Sequence, residues 1–287
     1  MWLYWGMRLA QRLAAALPRR FLYSLAVVGS DVVFSLWREK RENLIANMAQ
    51  VLDRDPGDRQ VQALAQRSSR NYAMYLIEFF SLPHTTPADL ATGLRQVSGW
   101  EHVETALAQG HGVIFVSAHF GNWDIAGAYF AQHHPVSVVA ETFQPARLNE
   151  LVQRTRTDKG MRIIPLEHAA RPLLRALQRN EIVGLVIDRP VHGQREGVPI
   201  RLFGRETHWP SGAAALAMKT GAPVLAAGCW RNPDNSYSGL IVPPIHCQMT
   251  GHWERDLQRN MQQIVAALEQ IIRPHPDQWY AFRQMWP

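Results

Sequence analysis

The stretch Ile114-Phe115-Val116-Ser117-Ala118-His119-Phe120-Gly121-Asn122-Trp123-Asp124 is an apolar run that ends in a histidine, with a carboxylate five positions later. Imidazole titrates near neutrality, so a histidine oriented by a carboxylate can take the proton of a substrate hydroxyl. Val113 to Val116 are apolar and β-favouring, as in a buried strand, and Ile125 to Phe130 have the composition of a buried helix. The exit of a strand into a helix is where open α/β sheets place their chemistry. If Asn122 or Trp123 opens the helix, Asp124 lies in its first turn. From there it can fold back across the Gly121 corner to hold one ring nitrogen of His119. A second carboxylate, Glu141, ends the strand expected over Val136 to Ala140, and it reaches His119 if the two strands are neighbours. The pattern leaves Asp124 and Glu141 as alternatives for the orienting role. Backbone amides near Gly121 are candidates for binding a developing oxyanion.

The hexapeptide His119-Phe120-Gly121-Asn122-Trp123-Asp124 resembles the signature of the lysophospholipid and lipid A type acyltransferases, in the Gly-Asn-Trp-Asp form typical of bacterial glycolipid acyltransferases. Further motifs fall in that family's order: Arg41-Glu42-Asn43-Leu44 with Asn47-Met48, Tyr72 with Glu78, Arg156 before Gly160-Met161, Asp188-Arg189, Phe203-Gly204, Pro210, Thr220-Gly221-Ala222-Pro223, and His275-Pro276 with Trp279. The resemblance therefore runs from about Arg41 to Trp286. It implies transfer of a fatty acyl group from acyl-CoA or an acyl carrier protein to a lipid hydroxyl, with His119 as general base and no metal or resident cofactor. It also implies that Gly121, Asn122, Arg156, Asp188 and Arg189 contact substrate. Phosphatidylinositol mannoside is the first acceptor it suggests and lipid A the second.

Composition agrees with a partner that carries phosphate. Of the 30 basic residues only Lys40, Lys159 and Lys219 are lysines, so the net charge of +6 is carried almost wholly by arginine. Arginine grips phosphate and carboxylate bidentately. No helix-turn-helix, ribonucleoprotein or zinc-finger pattern accompanies that charge, which argues against nucleic acid. The histidines also lack the close spacing of a zinc site. Cys229 and Cys247 show neither disulfide-framework nor metal spacing, which fits a reducing compartment. Met1 to Trp5 lacks the basic start of a secretory signal, and no export is expected.

The elements that must position this chemistry divide the chain into a helical, membrane-associating segment over residues 1–40 and a single α/β acyltransferase domain over residues 41–287. Trp2, Leu3, Tyr4, Trp5, Met7, Leu9, Leu13 and Leu17 alternate with Arg8 and Arg12, the pattern of a helix lying on an anionic membrane surface. Phe21 to Trp37 is apolar but short for a span and carries Asp31 near its middle. A membrane-surface hairpin on the cytoplasmic face is the reading we take. Helices are expected over Arg41–Leu52, Asp58–Phe80, Leu148–Lys159, Ala170–Gln178, Gly212–Lys219 and Trp253–Ile272. Strands are expected over Val113–Val116, Val136–Ala140, Arg162–Leu166, Ile182–Ile187, Ile200–Phe203, Val224–Gly228 and Leu240–Val242. Glu206 to Ser211 reads as a loop, and so does Val191 to Val198, which is expected at the mouth of the site. Strands alternating with helices give an α/β fold with a mostly parallel sheet flanked by helices.

Two rival functions meet objections in the sequence. A serine hydrolase would show Gly-x-Ser-x-Gly, which surrounds neither Ser117 nor Ser211. A noncatalytic membrane scaffold would leave the histidine and carboxylate at the strand exit without a purpose.

Overall fold

The computed structural model describes residues 2–189 and 197–286. The chain opens with four helices: α1 (Trp2–Ala16), α2 (Arg19–Leu36), α3 (Arg38–Leu52) and α4 (Arg59–Ser81). Pro18 separates the first two. Asp53 adopts a left-handed conformation (φ 52°) that ends α3, and the Asp58 side chain caps α4 by accepting from the Gln60 N–H. The α/β region follows in the order α5 (Pro87–Gly93), β1 (Leu94–Ser98), α6 (Trp100–Leu107), β2 (Val113–Ser117), α7 (Trp123–Phe130), β3 (Val136–Ala140), α8 (Ala146–Thr157), β4 (Met161–Pro165), α9 (Ala170–Gln178), β5 (Ile182–Val186), β6 (Val198–Leu202), β7 (Arg205–Trp209), α10 (Gly212–Thr220), β8 (Val224–Arg231), β9 (Tyr237–Ile241) and α11 (Trp253–Ile272).

Seven strands form one sheet in the order β1-β9-β8-β2-β5-β3-β4, parallel throughout except for the β8–β9 pair. The α/β fold and its mostly parallel sheet are thus as the sequence implied. The order settles the site: β5 lies between β2 and β3, so the strands leading to His119 and Glu141 are not neighbours. Residues 205–209 are a strand and not a loop. Trp209 and Thr207 bury inward while Glu206 and His208 face out, and β7 pairs with β6 in a separate antiparallel hairpin. Residues 190–196, which include most of the expected mouth loop, lie outside the described residues.

Two apolar cores cover the two faces of the sheet. One joins α3, α4, α9, α10 and α11 to it; the other joins α6 and α7. The aromatic C-terminal stretch belongs to the interior: Trp279 and Tyr280 are almost wholly buried. Asp31, the charge inside the apolar stretch of α2, makes a two-pronged pair with Arg70 of α4, each bond 2.7 Å. It therefore ties α2 to the body of the protein. Among the described residues no single helix is long and apolar enough to cross a membrane, and α2 and α3, which qualify only together, are bent by 97°.

Candidate active site

β2 delivers His119 and β5 delivers Asp188 to the same level, because the two strands run parallel in the register Ser117↔Val186. Each residue lies two positions beyond that pair. His119 Nδ1 lies 2.6 Å from Asp188 Oδ1, and the His119 backbone N–H donates to Asp188 Oδ2 at 3.0 Å. Trp279 Nε1–H donates to the same Oδ2 at 2.9 Å. The Tyr280 N–H, in turn, donates to the His119 carbonyl at 2.8 Å. Asp188 is 2% exposed. Burial alone pushes its carboxyl up, but the His119 ring, Arg189 and the Trp279 hydrogen bond outweigh that and hold it at about 2. A carboxylate that stays charged here keeps the proton of a neutral imidazole on Nδ1 and leaves Nε2 as the basic nitrogen. Trp123 packs edge-to-face on the ring, centroids 5.1 Å apart.

The structure corrects the role expected of Asp124. It does sit in the first turn of α7, but its carboxylate turns away from His119. It accepts from Arg156 Nε at 2.6 Å and from the Tyr75 hydroxyl at 2.7 Å. Asp124 is 2% exposed, and Arg156 packs its guanidinium over Phe79, 5.3 Å from the ring centroid. Burial disfavours the guanidinium charge, yet the Asp124 pair more than compensates and raises the Arg156 pKa above its ordinary value. The pair fastens α7 to α8. Glu141 is exposed just beyond β3, separated from β2 by β5, and among the described residues only its backbone carbonyl is engaged, by Gln153.

Gly121 is required by its backbone. It has φ +56°, and a Cβ there would strike the Cys229 carbonyl. Its N–H donates to the Gln278 carbonyl and the Asn122 N–H to the Cys229 carbonyl, so neither is free to bind an oxyanion. The Asn122 side chain caps α7 through Ile125 and donates to Glu78 at 2.7 Å. The amides of Trp123 and Asp124, at the start of α7, have no hydrogen-bond partner among the described residues.

His119 and Arg189 border a cavity of about 820 Å³ whose walls are mainly apolar, with Asp124, Arg156 and Glu141 also on its lining. A histidine held by a buried carboxylate on the lining of a mainly apolar cavity suits transfer chemistry on a lipid. No group of acidic, histidine or cysteine side chains able to hold a metal occurs among the described residues.

The family model described as bacterial lipid A biosynthesis acyltransferase matches residues 1–287. The chain belongs to that acyltransferase family. It is 32% identical over 251 residues to a phosphatidylinositol mannoside acyltransferase of Mycobacterium tuberculosis, covering 85% of this chain and 77% of the relative. It is 29% identical over 280 residues to the protein of the same name from Mycolicibacterium smegmatis, covering 96% and 88%. Among solved structures it is similar to the 1-acyl-sn-glycerophosphate acyltransferase PlsC from Thermotoga maritima, with a TM-score of 0.41, 13% identity and coverage of 88% and 98%. At that score the likeness carries no further conclusion.

In this acyltransferase the motif loop is braced from behind by a buried charge cluster. Glu78 of α4 accepts from the Tyr23 hydroxyl at 2.6 Å and from Asn122, and it pairs with Arg231 at 2.6 Å. Glu78 accepts and cannot donate while ionised, so it fixes the Asn122 amide with its oxygen toward α7. Asp188, Trp279 and Tyr75 are the members that spacing did not place correctly. Asp188 and Trp279 figure in the family motifs, but only the sheet register and the return of the C-terminal segment show that both meet His119.

Proposed function

We propose that this enzyme transfers a fatty acyl group from acyl-CoA or an acyl carrier protein to a hydroxyl of a membrane glycolipid, with phosphatidylinositol mannoside as the first acceptor and lipid A as the second. The observation that carries the reading is the 2.6 Å His119–Asp188 contact at the mouth of the apolar cavity. Two mycobacterial relatives, both phosphatidylinositol mannoside acyltransferases by name, support that order of acceptors.

In this reading the acceptor hydroxyl gives its proton to His119 Nε2 as its oxygen attacks the thioester carbonyl. Asp188 holds the ring and supports the imidazolium, and the free α7 amides of Trp123 and Asp124 face the oxyanion in place of Gly121. When the tetrahedral centre collapses the C–S bond breaks, and the thiolate takes the proton back from His119. Arg189 is the candidate contact for anionic headgroup or donor.

Residues 1–40 hold this single catalytic domain to the cytoplasmic face of the membrane. Among the described residues, the large apolar side chains left in solvent, apart from Phe143, Met249 and Trp253, all belong to α1, α2 or Trp37. Large apolar side chains exposed along two arginine-bearing helices favour a bilayer surface.

The test is incubation of purified enzyme with radiolabelled acyl thioester and a panel of lipids. Labelled O-acyl glycolipid should form, and His119→Ala should lower turnover by roughly two to four powers of ten while the fold persists. Free fatty acid in place of an acylated lipid would point to a hydrolase and overturn the reading.

A further inference from the structure

The buried cluster behind the motif loop also reaches one of the helices that carry the exposed apolar side chains. Helix α2 runs antiparallel to α4, and polar links join the two: Tyr23 donates to Glu78, Ser30 meets Ser69 at 2.8 Å, and Asp31 accepts from Arg70 and Gln66. The outward side of the same helix is apolar, with Phe21, Leu25, Val28, Val32, Val33 and Leu36 exposed. Directional bonds thus fix the register of α2 on the body, which apolar contacts alone would let slide. Of these links, the Tyr23 bond ends on the residue that holds Asn122.

Glu78 spends both oxygens on donors. Oε1 accepts from the Tyr23 hydroxyl and pairs with Arg231 Nη1, each at 2.6 Å, while Oε2 accepts from Asn122 Nδ2 at 2.7 Å and Arg231 Nη2 at 3.1 Å. The Arg231 guanidinium also lies over the Tyr23 ring, 5.3 Å from its centroid. The Arg231 main chain exchanges two hydrogen bonds with the Gln278 side chain, and the Gln278 backbone carbonyl accepts from Gly121. Tyr23 is buried among them, and burial together with the Glu78 charge raises its phenol above the ordinary value, so it stays a donor. Without that donor Oε1 keeps only Arg231, and the carboxylate turns toward the guanidinium and away from Asn122. An Asn122 side chain released from Glu78 can flip, presenting its NH₂ to the Ile125 N–H and undoing the α7 cap. The turn so loosened carries the amides of Trp123 and Asp124 and the Trp123 ring that packs on His119.

We propose that Tyr23, Glu78 and Asn122 form a positioning relay through which helix α2 sets the first turn of α7, so that this helix takes part in turnover and is more than a tether. The kinetic consequence rests on the acyl-transfer reading, whereas the mechanical link rests on the hydrogen bonds alone.

The test compares full-length variants that each remove one α2–α4 link. Tyr23→Phe keeps the ring and loses only the hydroxyl; kcat per folded molecule should fall roughly three- to tenfold, with KM for donor and acceptor within about twofold. The loss should be the same for acceptor lipid in vesicles and in detergent micelles. Ser30→Ala breaks a link that does not end on Glu78 and should leave kcat unchanged. In an Asn122→Ala background Tyr23→Phe should cost nothing more, because residues acting through one another are non-additive. Hydrogen exchange read by mass spectrometry on peptides covering residues 119–130 gives a measure free of turnover: exchange at the start of α7 should quicken in Tyr23→Phe and not in Ser30→Ala. Equal kcat losses in those two variants overturn the proposal, as do additive losses with Asn122→Ala or unchanged exchange in Tyr23→Phe. A KM rise confined to vesicles with kcat kept would make Tyr23 a membrane-seating residue only and overturn it too. If the wild type acylates no lipid yet exchange at α7 responds to Tyr23→Phe, the relay stands and the acyl-transfer reading falls.

Discussion

Asp188→Asn separates the carboxylate that the fold puts on His119 from the one expected on spacing alone. In the native site Oδ2 accepts from two donors, the His119 N–H and Trp279 Nε1, and Oδ1 faces His119 Nδ1. An asparagine must put its single oxygen where the two donors converge, which turns its NH₂ toward Nδ1. Nδ1 then has to accept, the ring proton moves to Nε2, and the nitrogen facing substrate is no longer a base. The same exchange in a serine protease costs about four powers of ten, and general-base catalysis is worth roughly two to four. We therefore expect kcat to fall by about three to four powers of ten. KM for donor and acceptor should change by less than about threefold, because the side chain keeps its size and two of its three bonds. The assay is labelled acyl transfer at saturating thioester, with circular dichroism to verify the fold. A folded Asp188→Asn enzyme that kept more than about a tenth of wild-type kcat would refute the tautomer argument and return the orienting role to another group.

Asp124→Asn should behave differently: it strips the charge from a buried pair and leaves the Arg156 guanidinium uncompensated, costing about 3–5 kcal/mol of stability. Thermal unfolding should report that loss, and kcat per folded molecule should fall much less than in Asp188→Asn. The Asp188 carboxyl is lowered in the folded state from 3.8 to about 2, so it contributes about 2 kcal/mol above pH 4, lost as the pH falls from about 4 to 2. The difference in denaturation midpoint between wild type and Asp188→Asn should accordingly shrink over that window and stay constant from pH 5 to 8. Trp2, Trp5 and Leu9 are exposed on α1. Replacing all three by serine removes roughly 2 kcal/mol of apolar transfer free energy each and should move the enzyme from liposome pellet to supernatant in a co-sedimentation assay.

Local sequence determined the strand–turn–helix unit around His119. The apolar run has room only for a strand, Gly121 alone tolerates its left-handed corner against the Cys229 carbonyl, and Asn122 is a natural cap for α7. Helix α9 and helix α11 were legible because their apolar periodicity and stops are local. The hairpin at Arg205–Trp209 was not, since its alternation is short and its partner strand sets the register. Which carboxylate serves His119 depends on lateral strand order, and spacing along the chain carries no information about that. Asp124 is five residues away yet sits in the first turn of α7, where Arg156 and Tyr75 engage its carboxylate instead. Asp188 is 69 residues away yet lies level with His119, because parallel β2 and β5 align residues at equal offsets. The sequence by itself determined the histidine and the element that presents it; only the folded sheet, with Trp279 returning from the C-terminus, decided which carboxylate lies against it.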